Sequence, residues 1–178
     1  MASPLGEELV FTADRYAIHR VRFVGSDGAE RSRDIIRHPG AVVLLPILDD
    51  GRIVMIRNYR VSLATSLLEV PAGTMEAGED PRQTAHRELA EETGYLAGRL
   101  EFVRTFYASP GICDEAMHVF VARDLRAGDP DRELDERIEN ELVRIDQVRT
   151  WIADGTIRDG KTLVALLGWL FEADQNHS

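Results

Sequence analysis

Cysteine is nearly absent. Cys113 is the one thiol in 178 residues, so no internal disulfide can form and no Cys-rich metal site can be built. Positive charge is also short: Lys and Arg number 21 against 31 Asp and Glu, a formal charge of −10 at pH 7. Non-specific binding to DNA needs cations that displace counterions from phosphates, so nucleic acid is not an expected partner. The longest apolar stretch, Leu163 to Phe171, falls far short of the roughly 20 residues that span a bilayer, and no membrane partner is expected. Met1 to Glu8 carries neither a basic nor an apolar signal region, so the expected location is cytoplasmic. Repeats, low-complexity tracts and long Pro/Gly/Ser linkers are lacking too, which leaves one globular unit. A chain of 20.0 kDa with 44% hydrophobic residues can bury on the order of 70% of its unfolded surface and needs no staple.

The patterning that is present alternates between strand and helix signals. Tyr16 to Val24 and Glu30 to Arg37 read as strands about the hairpin signal Ser26-Asp27-Gly28. Ala41 to Leu48 and Ile53 to Ile56 flank Asp49-Asp50-Gly51, a second hairpin signal, and their continuous apolar character predicts strands buried on both faces. Pro46 implies an edge or a bulge. Leu67 to Val70 is a short strand running into a loop over Pro71 to Gly78. Asp80 can cap a helix, Pro81 suits its first turn, Gln83 stands at the capping-box position and Gly94 ends it. Leu100 to Tyr107, Met117 to Arg123 and Ile138 to Arg144 read as strands; Asp146 to Asp154 and Thr162 to Ala173 read as helices. The expected fold class is therefore α/β, a mixed sheet covered by helices, with an N-terminal antiparallel hairpin region.

On the helix that follows Asp80, Glu88, Glu91 and Glu92 lie three and four residues apart and project from one side. At about 5 Å and an effective dielectric near 20, each such pair repels by about 3 kcal/mol before screening. Divalent cations that prefer oxygen would reverse the sign, and Mg²⁺ commonly binds through a few carboxylates plus substrate phosphates. The ordinary alternative is a solvated face rich in Glu. The wider spacing argues against it: Gly73, Glu79, Arg87, Glu88, Glu91, Glu92 and Gly94, with Leu89 and Tyr95 apolar, fit Gly-x5-Glu-x7-Arg-Glu-U-x-Glu-Glu-x-Gly-U at every position. Seven fixed identities at fixed spacing arise by chance at on the order of one in a billion starting points.

That segment resembles the box of the Nudix hydrolases, which use Mg²⁺ or Mn²⁺ to hydrolyse a nucleoside diphosphate linked to another moiety. The resemblance implies an α/β/α sandwich in which Glu88 and Glu92 ligate metal, Glu91 shares the metals or a metal-bound water, and the Ala72 carbonyl completes a site for two or three ions. Glu79 and Arg87 would form an ion pair tying loop to helix. Outside the box, Arg37-His38-Pro39-Gly40-Ala41-Val42, Ile56 to Arg60 and Phe106 to Glu115 resemble the ADP-ribose pyrophosphatase branch. That likeness implies Arg57, with Arg60 beside it, at the diphosphate or terminal ribose, and Gly111 and Glu115 at the ribose hydroxyls. A guanidinium pairs with phosphate in a charge-assisted fork and a carboxylate accepts from a vicinal diol, so each role is chemically sound.

By the same resemblance, a glutamate from the acidic stretch between Leu125 and Ile138 would orient or deprotonate the attacking water, Glu136 the first choice and Glu133 the second. The resemblance further implies a homodimer in which residues 1–40 form a dimerisation arm on the unit 41–178, and an adenine clamp drawn from Tyr16 to Phe23 or Arg31 to Arg37. His38, His86 and His118 have no zinc-site spacing, and Cys113 has no partner that would activate it. The expected activity is hydrolysis of ADP-ribose to AMP and ribose 5-phosphate. Its alternatives are another nucleoside diphosphate sugar or a dinucleotide as substrate, or a sensor that binds ADP-ribose without turnover. Intact Glu88, Glu91 and Glu92 speak against the sensor.

Overall fold

The structure, a computed structural model, describes residues 4–128 and 138–175. Three antiparallel strands come first: β1 (Pro4–Thr12), β2 (Ala17–Val24) and β3 (Glu30–Arg37), paired in that order. The β2–β3 turn closes as its sequence predicts, with Gly28 at φ 79° and the Asp27 carboxylate accepting from the Ala29 N–H. β1 is a strand the sequence reading does not contain; its Leu-Gly-Glu-Glu-Leu order lacks clean alternation and its register shifts twice against β2.

Seven further strands form two sheets. β4 (Ala41–Pro46), β7 (Ala72–Thr74), β8 (Tyr95–Tyr107) and β9 (Ala116–Ala127) lie in the order β7-β4-β9-β8. Only β4 and β9 run parallel, so the sheet is mixed. β5 (Ile53–Arg60), β6 (Thr65–Glu69) and β10 (Ile138–Val143) form an antiparallel sheet in the order β10-β5-β6. The helices are α1 (Pro81–Thr93), α2 (Ile145–Ala153) and α3 (Gly160–Gln175). Among the described residues no helix is long and apolar enough to cross a membrane.

The unbroken apolar run of β4 follows from two buried faces. Val43 and Leu45 point into a core shared with Met55, Leu68, Val148 and Leu166, which belong to β5, β6, α2 and α3. Val42 and Leu44 point the other way, onto Ala85 and Leu89 of α1. Helices thus cover the mixed sheet from both sides, the α/β/α arrangement. Pro46 is harmless because of its parity. The Leu44 N–H donates toward Pro71 beside β7, so the missing N–H two residues on faces past the end of that short strand, a local edge.

One expectation needs correcting. Asp49-Asp50-Gly51 does make a tight turn, with Gly51 at φ 81°, but β4 and β5 do not pair beyond the single bridge Ile47–Ile53 and diverge into separate sheets. Both edges of each strand are already taken, β4 by β7 and β9 and β5 by β6 and β10, so neither is free to extend the hairpin.

Candidate active site

The site is built where α1 faces β7. Asp80 caps the helix by accepting from the Arg82 N–H, one residue earlier than the capping-box position of Gln83, and Gly94 ends it at φ 76°. Because the helix starts and stops there, Glu88 and Glu92 occupy the face toward Ala72 and Gly73. The Glu92 side chain is almost fully buried and accepts from the Ala72 N–H at 2.9 Å. The Glu88 carboxylate lies directly over Gly73: a Cβ there would stand 1.8 Å from Glu88 Cδ. Only glycine permits this approach, independently of backbone angle.

Arg87 binds the loop and the carboxylates together. Its Nε and Nη2 donate to Glu79 at 3.3 and 3.1 Å, its Nη1 to Glu88 at 2.7 Å and Glu91 at 3.0 Å, and its Nη2 also to the Thr74 carbonyl at 3.3 Å. The guanidinium holds the Glu79 carboxyl down to about 2, helped by the Glu76 N–H. Among the described residues no three His, Cys, Asp or Glu side chains converge on one point as they stand, since Arg87 engages Glu88 and Glu91 while Ala72 engages Glu92. The donor set nevertheless fits a hard divalent cation. It is all oxygen, Ala72, Glu88 and Glu92 line one cleft, and Gly73 leaves a cradle beside Glu88 that any larger residue would fill.

That cleft has a volume of about 730 Å³. Its lining includes the β1–β2 turn, Thr12 to Ala17, closed by the Ala13 N–H donating to the Tyr16 carbonyl. Five basic residues line it, Arg15 among them, and the other four pair with carboxylates. Arg37 pairs with Glu7 and Asp114, Arg60 with Glu69, Arg87 with the acids above, and Lys161 with Glu69 and Asp159. Those carboxylates offset part of the positive charge that the cleft presents.

The residues expected at the sugar and phosphate divide between cleft and exterior. Asn58 and Arg60, two apart on β5, both line the cleft. Arg57 has the opposite parity, is half exposed and pairs with Glu141 of β10 at 2.7 Å, outside the lining. Glu115 lines the cleft with His38 Nδ1 at 3.6 Å, whereas Gly111 is exposed and does not. Tyr16, Ala17 and Arg37 of the stretches named for the base are in the lining. Glu133 and Glu136 lie outside the described residues. His86 is exposed, His118 bonds Thr105, and the half-buried Cys113 accepts from the Glu115 N–H.

Sequence reasoning missed Glu69, Asp159 and Lys161. Glu69 is fully buried, and Arg60 grips it through Nε at 2.8 Å and Nη2 at 2.5 Å. Burial pulls the Asp159 carboxyl upward, but the Lys161 ammonium and the Thr162 hydroxyl and N–H outweigh it and leave it below the usual range. One signal was available: of the 21 basic residues, Lys161 is the only lysine.

Residues 37–166 match the model of the NUDIX domain. The chain is 41% identical over 142 residues to the ADP-ribose pyrophosphatase of Bacillus subtilis (strain 168), covering 79% of this chain and 77% of that one. It is 42% identical over 142 residues to the methanol dehydrogenase activator of Bacillus methanolicus, with the same coverage. The crystal structure of an ADP compounds hydrolase superposes with a TM-score of 0.82 at 24% identity, over 97% of this chain and 95% of that one, a likeness of fold.

Proposed function

The chain belongs to the Nudix family of hydrolases, and we propose that its substrate is ADP-ribose, cleaved with water to AMP and ribose 5-phosphate. The observation that carries this reading is that Glu88 and Glu92 of α1 line the same cleft as the guanidinium groups of Arg37 and Arg60. The 41%-identical relative named for ADP-ribose supports the choice of sugar.

In this reading Glu88, Glu92 and the Ala72 carbonyl hold Mg²⁺, with Glu91 sharing it; Mn²⁺ can substitute, and two or three ions serve each site. When bound, the metal neutralises diphosphate charge and lowers the pKa of the attacking water. The chain's own residues do the rest. Arg60 presents its remaining guanidinium edge to the phosphates, Glu115 accepts from ribose hydroxyls, and Arg87 with Glu79 keeps the loop Thr74 to Glu79 against α1. The water oxygen bonds to phosphorus, the bond from that phosphorus to the bridging oxygen breaks, and the water's proton passes to a carboxylate. Glu136 is the first choice for that base and Glu133 the second. Arg57 and Gly111 keep a proposed substrate role only if ligand binding draws their segments inward.

The experiment is turnover of metal-stripped protein with and without Mg²⁺ on ADP-ribose, GDP-mannose, UDP-glucose and a dinucleotide, with products separated by chromatography. AMP and ribose 5-phosphate should form fastest, only with metal. Full turnover in chelator would overturn the metal assignment, and faster cleavage of another substrate would replace ADP-ribose.

A further inference from the structure

Lys161 stands apart from every other basic residue in this chain. It is the only lysine, its side chain is 10% exposed, and its one nitrogen meets two carboxylates, Glu69 and, at 3.0 Å, Asp159. A fully buried carboxylate such as Glu69 is costly unless paired, and here it is paired twice, by Lys161 and by the Arg60 fork. The four groups alternate in sign: Arg60, Glu69, Lys161, Asp159. Asp159 is itself fixed, because its Oδ2 accepts from the Thr162 N–H at 3.0 Å and the Thr162 hydroxyl at 2.7 Å at the start of α3. The Thr162 oxygen in turn accepts from the Val70 N–H at 3.0 Å. The first turn of α3 thus grips two consecutive residues, Glu69 and Val70, with only Pro71 between them and the strand that faces Glu88 and Glu92.

We propose that Lys161 is a positioning residue: with Asp159 behind it, it holds the Glu69 carboxylate so that Glu69 fixes the Arg60 guanidinium at the cleft. The inference rests on the reading above that Arg60 meets the substrate's diphosphate. The Glu69 fork occupies one edge of the guanidinium, Nε and Nη2, so the position of Glu69 sets where the Nη1 edge points. Without Lys161, Glu69 would keep, among the described residues, only the Arg60 fork, with Asp159 as a neighbouring like charge, and the guanidinium would be drawn off the cleft. An ammonium suits the place because it is compact. A guanidinium is larger and planar, so in the same enclosed space it cannot take the compact ammonium's position between the two carboxylates, and Lys161→Arg is not a conservative change.

The test is a double-mutant cycle between Lys161→Met and Arg60→Met, read as KM, kcat and the Mg²⁺ concentration for half-maximal rate. Lys161→Met should raise KM about tenfold and change kcat by less than about threefold, with the Mg²⁺ requirement unmoved. In the Arg60→Met background it should raise KM less than about twofold further, because its effect passes through Arg60. Lys161→Arg should fail to restore the wild-type KM. A KM increase that persists undiminished in the Arg60→Met background would overturn the inference, as would a wild-type KM in Lys161→Met when Arg60→Met raises it. Unchanged KM in Arg60→Met would instead overturn the reading of Arg60, and this inference with it. Amine labelling needs no turnover and keeps the idea falsifiable should Lys161→Met not fold. With trinitrobenzenesulfonate, labelling at Lys161, followed by peptide mapping apart from the α-amine, should be at least about tenfold slower than on free Nα-acetyl-lysine, since the ε-amine is enclosed between two carboxylates. Reaction at the free rate would overturn the proposal.

Discussion

Glu92 combines two properties that rarely coexist, near-complete burial and a formal charge, and it tolerates this through the Ala72 N–H. An amide oxygen can accept the same hydrogen bond. Glu92→Gln should therefore cost about 1 kcal/mol or less in denaturant unfolding while lowering kcat by about a hundredfold or more, if the charge serves the metal. A folded Glu92→Gln protein with wild-type turnover would remove it from the ligand set. Gly73 gives a complementary test, since its side chain takes no part in the chemistry. Gly73→Ala would place a methyl 1.8 Å from Glu88 Cδ, so the carboxylate must move. Activity should drop at least about tenfold, recovering in part at high Mg²⁺, because a displaced ligand weakens metal affinity before it alters the bound state. No rise in the Mg²⁺ requirement would separate Glu88 from the metal.

An element holds its residues only as well as its ends are held, and the loop before α1 is held by Arg87. Arg87→Ala frees Glu79 from the helix and removes the guanidinium from Glu88 and Glu91, so unfolding stability should fall by about 1–2 kcal/mol together with activity. Raised KM without loss of stability would point to substrate contact instead. The same clamp has a pH signature. The Glu79 carboxyl is lowered from 4.5 to about 2, so the stability it contributes is complete above about pH 4.5 and is lost as pH falls toward 2. Glu79→Gln should flatten the acid limb of stability against pH in that window, and an unchanged limb would mean that the pair contributes nothing. The sequence shows α1 clearly because Asp80, Pro81 and Gly94 act locally. β7 is illegible, three residues about a glycine that become a strand only by pairing with β4 some thirty positions earlier. Glu69 and Lys161 meet across 92 positions, and no local pattern announces such a contact. Arg57 and Arg60 look alike in sequence, and only the parity of β5 decides which one the cleft receives.

Across the whole molecule, charge and apolar surface are unevenly divided. Residues 1–40 hold six Arg and six Asp or Glu, so the entire excess of −10 lies in residues 41–178. The neutral N-terminal sheet is fastened to the body by Arg37, which pairs with Glu7 of β1 and Asp114 of the β8–β9 connection, and by the bridge between Ile36 and Cys113. It leaves Leu9, Val10 and Phe11 of its edge strand 60%, 47% and 53% exposed. An uncovered edge with three consecutive apolar residues invites pairing. Two bodies of like charge would meet most readily through their neutral arms, and this supports the proposal that a second copy of the chain covers β1. Wild-type protein should then run by light scattering at about twice 20.0 kDa, and Leu9→Glu with Phe11→Glu should halve that mass. The β1–β2 turn that lines the cleft follows directly on β1, so the monomer should lose substrate affinity more than turnover rate. A wild-type mass of 20.0 kDa at micromolar concentration would exclude the dimer, and a monomeric variant with wild-type KM would uncouple the arm from the site.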